Sequence, residues 1–351
     1  MTAVAQPRSV VAAGWIESQA FDLSAFILAP LGGLLAIAAS GWGRGGTAVI
    51  VALTYFVGIP HYLSSFTFFL GDDTLAYYRS RRLVFFAGPV AILALVALLR
   101  ATRVDGPVLC AMYLWNIWHV SLQSAGILSI YRRLNGGPVD ERRLAHLPLL
   151  LVGAAMALWH VDRFPPLFEP LSALIPEIVL VLRLLLGPAA VLCVGVLGWR
   201  ILRRPQPISI AEGGFLLASL ALFHPYLWVR DANQATFAML MGHFIQYLSI
   251  VWLLHRRKYA GRPGSRHQRW LGAVSGSPVL LGATLIGAGL TFYFGSSVAT
   301  ALGAPMAYVT LWNAMTLVHF YLDGFIWAFR RSEVRETLGR VLMPPERIVA
   351  R

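Results

Sequence analysis

Residues 235–255 read ATFAMLMGHFIQYLSIVWLLH, and Arg256, Arg257 and Lys258 follow at once. A run of this length without lysine, arginine or carboxylate reaches about 30 Å as a helix, the thickness of a bilayer's hydrocarbon core. It lacks the strict alternation of apolar and polar residues that a membrane barrel strand would need. The stretch therefore predicts a transmembrane α-helix that ends at a basic surface. Working outward from it, further apolar windows fall at 24–39, 48–70, 83–99, 107–131, 145–160, 178–199, 211–229, 271–295 and 303–329. With 57% hydrophobic residues, 13% charged residues and a mean hydropathy of +0.65, the whole chain is more apolar than a soluble domain. The expected fold is all-α: a polytopic membrane helix bundle of about ten spans, forming a single integral membrane domain over 1–351.

The formal net charge of +13 would suit a nucleic-acid partner if it lay on one patch. It is distributed by loop instead. With the N-terminus inside, 23 lysines and arginines fall in inner segments and five, Arg44, Arg100, Arg103, Arg163 and Arg230, in outer ones, while Arg183 lies within a helix. That asymmetry follows the positive-inside rule, places both termini in the cytoplasm of a bacterial-type inner membrane, and leaves no role for nucleic acid. Cys110 and Cys193 both sit in apolar segments, so neither a disulfide framework nor a cysteine-ligated cluster is expected. Residues 24–39 read as a retained span, not a cleaved signal peptide.

Five of the nine histidines, His61, His119, His224, His243 and His319, occupy the middles of separate apolar segments. Counting to the inner charged end gives eleven to thirteen residues for His61 to Asp72, His119 to Arg132, His243 to Arg256, His319 to Arg330 and Glu212 to His224. Each imidazole would then lie roughly 16–20 Å from the inner face, in one layer near the midplane. Ionisable groups at that depth are costly and face a bundle interior or a cavity, and imidazole is the commonest metal ligand. The expectation is a metal site built from His61, His119, His224, His243 and His319.

Three of these histidines have a polar residue one turn further in: Gln123 after His119, Gln246 after His243, and Asp323 after His319. Spacings of i,i+3 and i,i+4 share a helix face. Asp323 is expected as a ligand or ligand-orienting group, and Gln123 and Gln246 as orienting partners. Tyr247 and Tyr321 lie close to the same layer; they either pack or serve the chemistry as donors of protons and electrons. His160 and Arg183, with nearby carboxylates, form an outer polar group that reads either as an ion-pair network or as a lipid-head site. His146, His255 and His267 are expected to be solvated or to face lipid.

Soft ligands are lacking and carboxylates are few, which points to iron, copper or zinc rather than magnesium or calcium, with iron the expected metal and copper or zinc behind it. Five histidines and one aspartate suffice for one ion, or for two with a bridging group. The HExxH pattern of zinc proteases is absent. These features point to a metal-dependent membrane oxidoreductase using non-haem iron on a lipid or apolar small molecule, with an external electron donor as a partner. The competing classes are a zinc-dependent intramembrane hydrolase, a haem-binding membrane protein, and a proton or metal transporter. A partial echo between LWNIWHVSLQSAGILSIYRR at 114–133 and LWNAMTLVHFYLDGFIWAFRR at 311–331 suggests parallel repeats over 24–131 and 211–329, joined by 145–199.

Overall fold

A computed structural model describes residues 14–41, 44–137, 142–158, 175–262, 264–329 and 331–344. Helices account for almost all of them, and no strand occurs among the described residues. The principal ones are α1 (Pro30–Ser40), α2 (Ala48–Leu70), α3 (Leu83–Ala101), α4 (Asp105–Leu134), α5 (Arg142–Ala157), α6 (Ile175–Leu202), α7 (Ile210–Trp228), α8 (Ala232–Tyr259), α9 (Pro278–Ala301) and α10 (Pro305–Ile326). Each expected window thus contains a helix, with one shift of boundary. The window 271–295 is divided, because Ser277 and Pro278 end the short helix Arg266–Gly276 and begin α9. Ser277 accepts a hydrogen bond from the Leu280 amide there, and proline at the first turn needs no amide partner.

Six of the helices, α2, α3, α6, α7, α8 and α9, are long and apolar enough to cross a membrane. The pair Gln19–Ile27 and Pro30–Ala38, bent by 53°, makes a seventh if it counts as one span. The expected number was about ten, and the difference has physical causes. Helices α4 and α10, of 30 and 22 residues, are long enough but carry Asn116, His119 and Gln123, and Asn313, His319 and Asp323, in their middles. Helix α5 offers only the shorter apolar stretch Ala145–Ala157.

Burial orders the bundle. In α8, 67% of the most apolar window is buried; in α3 and α6 the share is 11%, and in α9 only 6%. Helix α8 is therefore the axis, packed on α1, α2 and the last turn of α7, while α10 lies against α2, α3 and α4. The outer helices present Leu95, Leu98, Leu184, Val191, Leu202 and Val279 outward, each more than half exposed. A continuous apolar exterior on this scale suits lipid and not water. The chain is a multi-pass membrane protein. Close approach of α1 to α8 depends on glycine at two places: a Cβ on Gly33 would collide with the Ala238 carbonyl, and one on Gly242 would press on Leu222 and the Ala29 carbonyl.

Prolines interrupt several helices, and at two of them the partner of the carbonyl four residues earlier can be followed. Pro30 cannot donate to the carbonyl four residues earlier. That carbonyl, of Phe26, is taken by the side-chain amide of Gln246 at 2.9 Å. Pro225 likewise cannot donate to the Ala221 carbonyl, which instead accepts the His224 amide at 3.0 Å and His224 Nδ1 at 2.7 Å. In α2, a widened turn over Thr54–Gly58 precedes Pro60 and His61, and the helix tightens again over Ser65–Leu70. Such widened turns accommodate an extra residue and often occur next to functional side chains.

Candidate metal centre

Four helices each send one histidine to the same point: His61 from α2, His119 from α4, His243 from α8 and His319 from α10. One nitrogen of each lies within 4.8 Å of those of the other three. Two imidazole nitrogens across a single ion lie at most about 4.2 Å apart, taking bonds of about 2.1 Å. Shifts of a few tenths of an ångström would therefore close the set on one ion. His61, His243 and His319 are wholly inaccessible and His119 nearly so. Phe244 lies 4.5 Å from the His61 ring and Phe320 4.6 Å from that of His119, measured between centroids, so the donors are walled by aromatic carbon.

These nitrogens lack protein partners. Both nitrogens of His61 and of His243, and Nε2 of His119 and His319, are buried without a hydrogen bond, as is Oδ2 of Asp323. Buried polar atoms are nearly always paired. Five of them, one nitrogen from each imidazole and Asp323 Oδ2, can face a common centre, the pattern expected of ligands to a cation. Asp323 Oδ2 lies 4.0 Å from His119 Nε2 and 3.9 Å from His319 Nε2, the spacing of a fifth donor.

The other side of Asp323 is fixed. Its Oδ1 accepts hydrogen bonds from Ser65 Oγ at 2.6 Å and from the Tyr247 hydroxyl at 2.6 Å, and Trp327 Nε1 donates to that hydroxyl at 3.3 Å. Ser65 Oγ also lies 2.8 Å from His319 Nδ1. The serine has a single hydrogen. Donating it to Asp323 leaves Oγ to accept, which requires the proton of His319 to be on Nδ1 and leaves the lone pair on Nε2 directed at the centre. One serine thus sets both the tautomer of His319 and the rotamer of Asp323, the task of groups that orient metal ligands.

The expected residues separate accordingly. His61, His119, His243 and His319 converge, with Asp323 beside them. His224 does not join them: its helix packs against α4, α5 and the segment Leu23–Ile27, and its imidazole caps the carbonyl freed by Pro225. Gln246 orients no imidazole either, being committed to the carbonyl of Phe26. Gln123 lines a cavity beside His119, with both amide atoms buried and unpaired. Tyr247 belongs to the Asp323 network, whereas Tyr321 lines the same cavity as Gln123 with its hydroxyl close to Gly88. Ser65 and Trp327 were not anticipated. Ser65 stands four residues after His61, the spacing that drew attention to Gln123 and Asp323, so the same rule would have found it.

Of the remaining histidines, His255 is buried and bonds Thr67 at 2.7 Å, contrary to the solvated position expected for it. His146 is half-buried with its ring 4.7 Å from Trp118, and His267 is exposed. Arg183 donates to the Leu158 carbonyl at 2.7 Å. His160 lies outside the described residues.

The chain matches no known family model, curated protein or solved structure.

Proposed function

We propose that this is a ten-span protein of a bacterial-type inner membrane, with both termini cytoplasmic, that holds one iron ion on His61, His119, His243, His319 and Asp323 and oxidises an apolar substrate with molecular oxygen. The observation that carries the reading is the convergence of four buried imidazoles, their facing nitrogens unpaired, with a carboxylate oxygen completing the set. Donors of nitrogen and oxygen without thiolate favour iron, copper or zinc. Five donors exceed the three that a hydrolytic zinc site keeps around its activated water, which favours a redox metal. A porphyrin between axial histidines would have to pass through the space that the other two imidazoles fill, which disfavours haem. One layer of ionisable groups, with no chain of them to either surface, disfavours a transporter.

The surroundings suit oxidation of a carbon chain. Oxygen and lipid tails both partition into the bundle's apolar interior, and Phe244 and Phe320 keep water from the donors. Hydroxylation would insert one oxygen atom into a C–H bond and reduce the other to water, with two electrons and two protons from an external donor. Desaturation has the same need of electrons, and oxidative cleavage of a double bond has none. Iron supplies oxygen activation when bound; this chain supplies a dry pocket, a fixed tautomer at His319 and a carboxylate held on one edge.

The test is metal analysis and an absorption spectrum of protein purified in detergent. About one iron per chain without a haem Soret band is expected from the single convergent donor set. Stoichiometric haem, or zinc alone with oxygen-independent activity, would overturn the assignment.

A further inference from the structure

Beside the donor set, α4 and α10 enclose a cavity of about 320 Å³. His119 and Asp323 form its inner wall, and Trp115, Trp118, Phe320 and Phe325 much of the rest. That volume is at the lower end for ligand pockets and holds about ten water-sized groups. A single aliphatic chain fits such a volume. Among the described residues no lysine or arginine lines the cavity, and its one carboxylate is Asp323. An anionic head seated at Gln123 would find no basic side chain among them to pair with. Of the polar groups in its lining, the Tyr321 hydroxyl lies close to Gly88 and Trp327 donates to Tyr247, whereas the amide of Gln123, one helical turn from His119, has its oxygen and its nitrogen both buried and unpaired. An unmade hydrogen bond at such a position is costly.

The mouth faces the outer surface. Trp118 is 46% exposed, and Leu114, one turn away on the same face, is 59% exposed. On α10, Gly324 lines the opening, and a side chain there would meet nothing within 4 Å. Access is from the side, between two helices, where the bundle meets lipid acyl chains.

We propose that this cavity receives a slender, uncharged amphiphile from the lipid, a long-chain alcohol or carbonyl compound, whose polar group pairs with the Gln123 amide while its chain lies against His119 and Asp323. The proposal rests on reading those two residues as part of a metal centre and adds the class of substrate and the route it takes.

The test uses purified, iron-loaded protein and three photoreactive probes of equal chain length carrying a diazirine: a primary alcohol, a fatty acid and an alkane. Cross-links are mapped by peptide mass spectrometry. The alcohol should label Trp115–Gln123 and Phe320–Trp327, and be preferred over the alkane about fivefold, the scale of one net hydrogen bond. Gly324→Trp, which closes the mouth, should remove most labelling without changing iron content. Gln123→Leu, an independent variant should Gly324→Trp misfold, should abolish the preference for the alcohol while alkane labelling persists. Labelling elsewhere, preference for the acid, or labelling unaffected by either variant would overturn the proposal. Correct labelling of protein that binds no metal would uphold the cavity and refute the metal centre; iron bound at full occupancy with no labelling would do the reverse.

Discussion

Ser65 is the residue on which the geometry of the centre turns. Its hydroxyl joins His319 Nδ1, at 2.8 Å, to Asp323 Oδ1, at 2.6 Å, and so orients two neighbouring side chains of the buried cluster. Ser65→Ala should leave the helices intact and weaken metal binding about 10- to 100-fold, the usual scale for a group that orients ligands, as measured by competition with a chelator. His319→Ala removes a donor outright and should abolish most of the bound metal. His224→Ala should leave the metal in place and cost only the stability of the turn before Pro225, because its imidazole serves the Ala221 carbonyl. Metal lost from His224→Ala as completely as from His319→Ala would show that the donor set is wrongly drawn. Equal counts from a charged helix end identify residues of like depth, and His61, His119, His243 and His319 were legible in the sequence on that ground. Depth is one coordinate of three. Which way a side chain points around its helix depends on packing, and His224 has the right depth on the wrong side of the bundle. The sequence did hold the reason in the pair His224-Pro225, since a proline releases a carbonyl that some nearby donor must satisfy. The same reasoning applies to Pro30 and Gln246, although their partnership spans 220 residues between Phe26 and Gln246 and no local pattern could pair them.

At the scale of elements, two of the four helices that build the centre, α4 and α10, depart in composition from a lipid-embedded span, whereas α2 and α8 do not. Helices α4 and α10 carry amides, imidazoles and a carboxylate in their middles, and this lowers their apolar character, while the outer helices α3, α6 and α9 keep windows apolar enough to cross a membrane. Apolar windows therefore locate the helices well, but their strength does not separate periphery from core, since α8 and α9 have the same mean hydropathy of 1.6 with 67% and 6% of their windows buried. They say nothing about which helices touch. Contact is governed by small residues, as membrane helices approach closely only where a side chain is missing. Gly33 of α1 lies against the Ala238 carbonyl of α8, five residues before His243. Gly33→Leu should force the two helices apart at a cost of about 1–3 kcal/mol, the range for overpacking a filled interface. A lowered unfolding temperature in detergent, accompanied by weaker metal binding through displacement of His243, is the expected result. An unchanged melting curve would mean that α1 does not pack on α8 as described. Gly324→Ala on α10 is the matched control: open space surrounds that position, and the melting curve should hold steady or improve.

For the whole molecule, the decisive feature is where the charges meet. Glu212 at the start of α7 lies 3.7 Å from Arg132 at the end of α4 and 3.0 Å from Arg204 after α6. Glu17 in the N-terminal segment pairs with Arg257 at the end of α8 at 2.7 Å, Asp73 after α2 with Lys258 at 2.7 Å, and Arg81 with Glu333 after α10 at 3.7 Å. Arg257 also donates to the Leu342 carbonyl at 3.1 Å, and Tyr131 at the end of α4 to Asp22 at 2.9 Å. Every segment in this set is one that the arginine count assigns to the inner side, so the loops expected to share a face are in contact with one another. The individual exposed pairs contribute little to stability. Their value is topological, because they require α2, α4, α8 and α10 to end on the face where α7 begins. An odd error in the count between any two of them would send one partner of a pair to the opposite face, and the excess of arginine on the joined face predicts that it is cytoplasmic. A reporter fused after Arg351 should accordingly read as cytoplasmic, and one inserted beside Thr300, between α9 and α10, as external. An external signal after Arg351 together with a cytoplasmic one at Thr300 would turn the bundle over without disturbing the centre, whereas the same side for both would remove a crossing between them and with it the placement of His319 opposite His243.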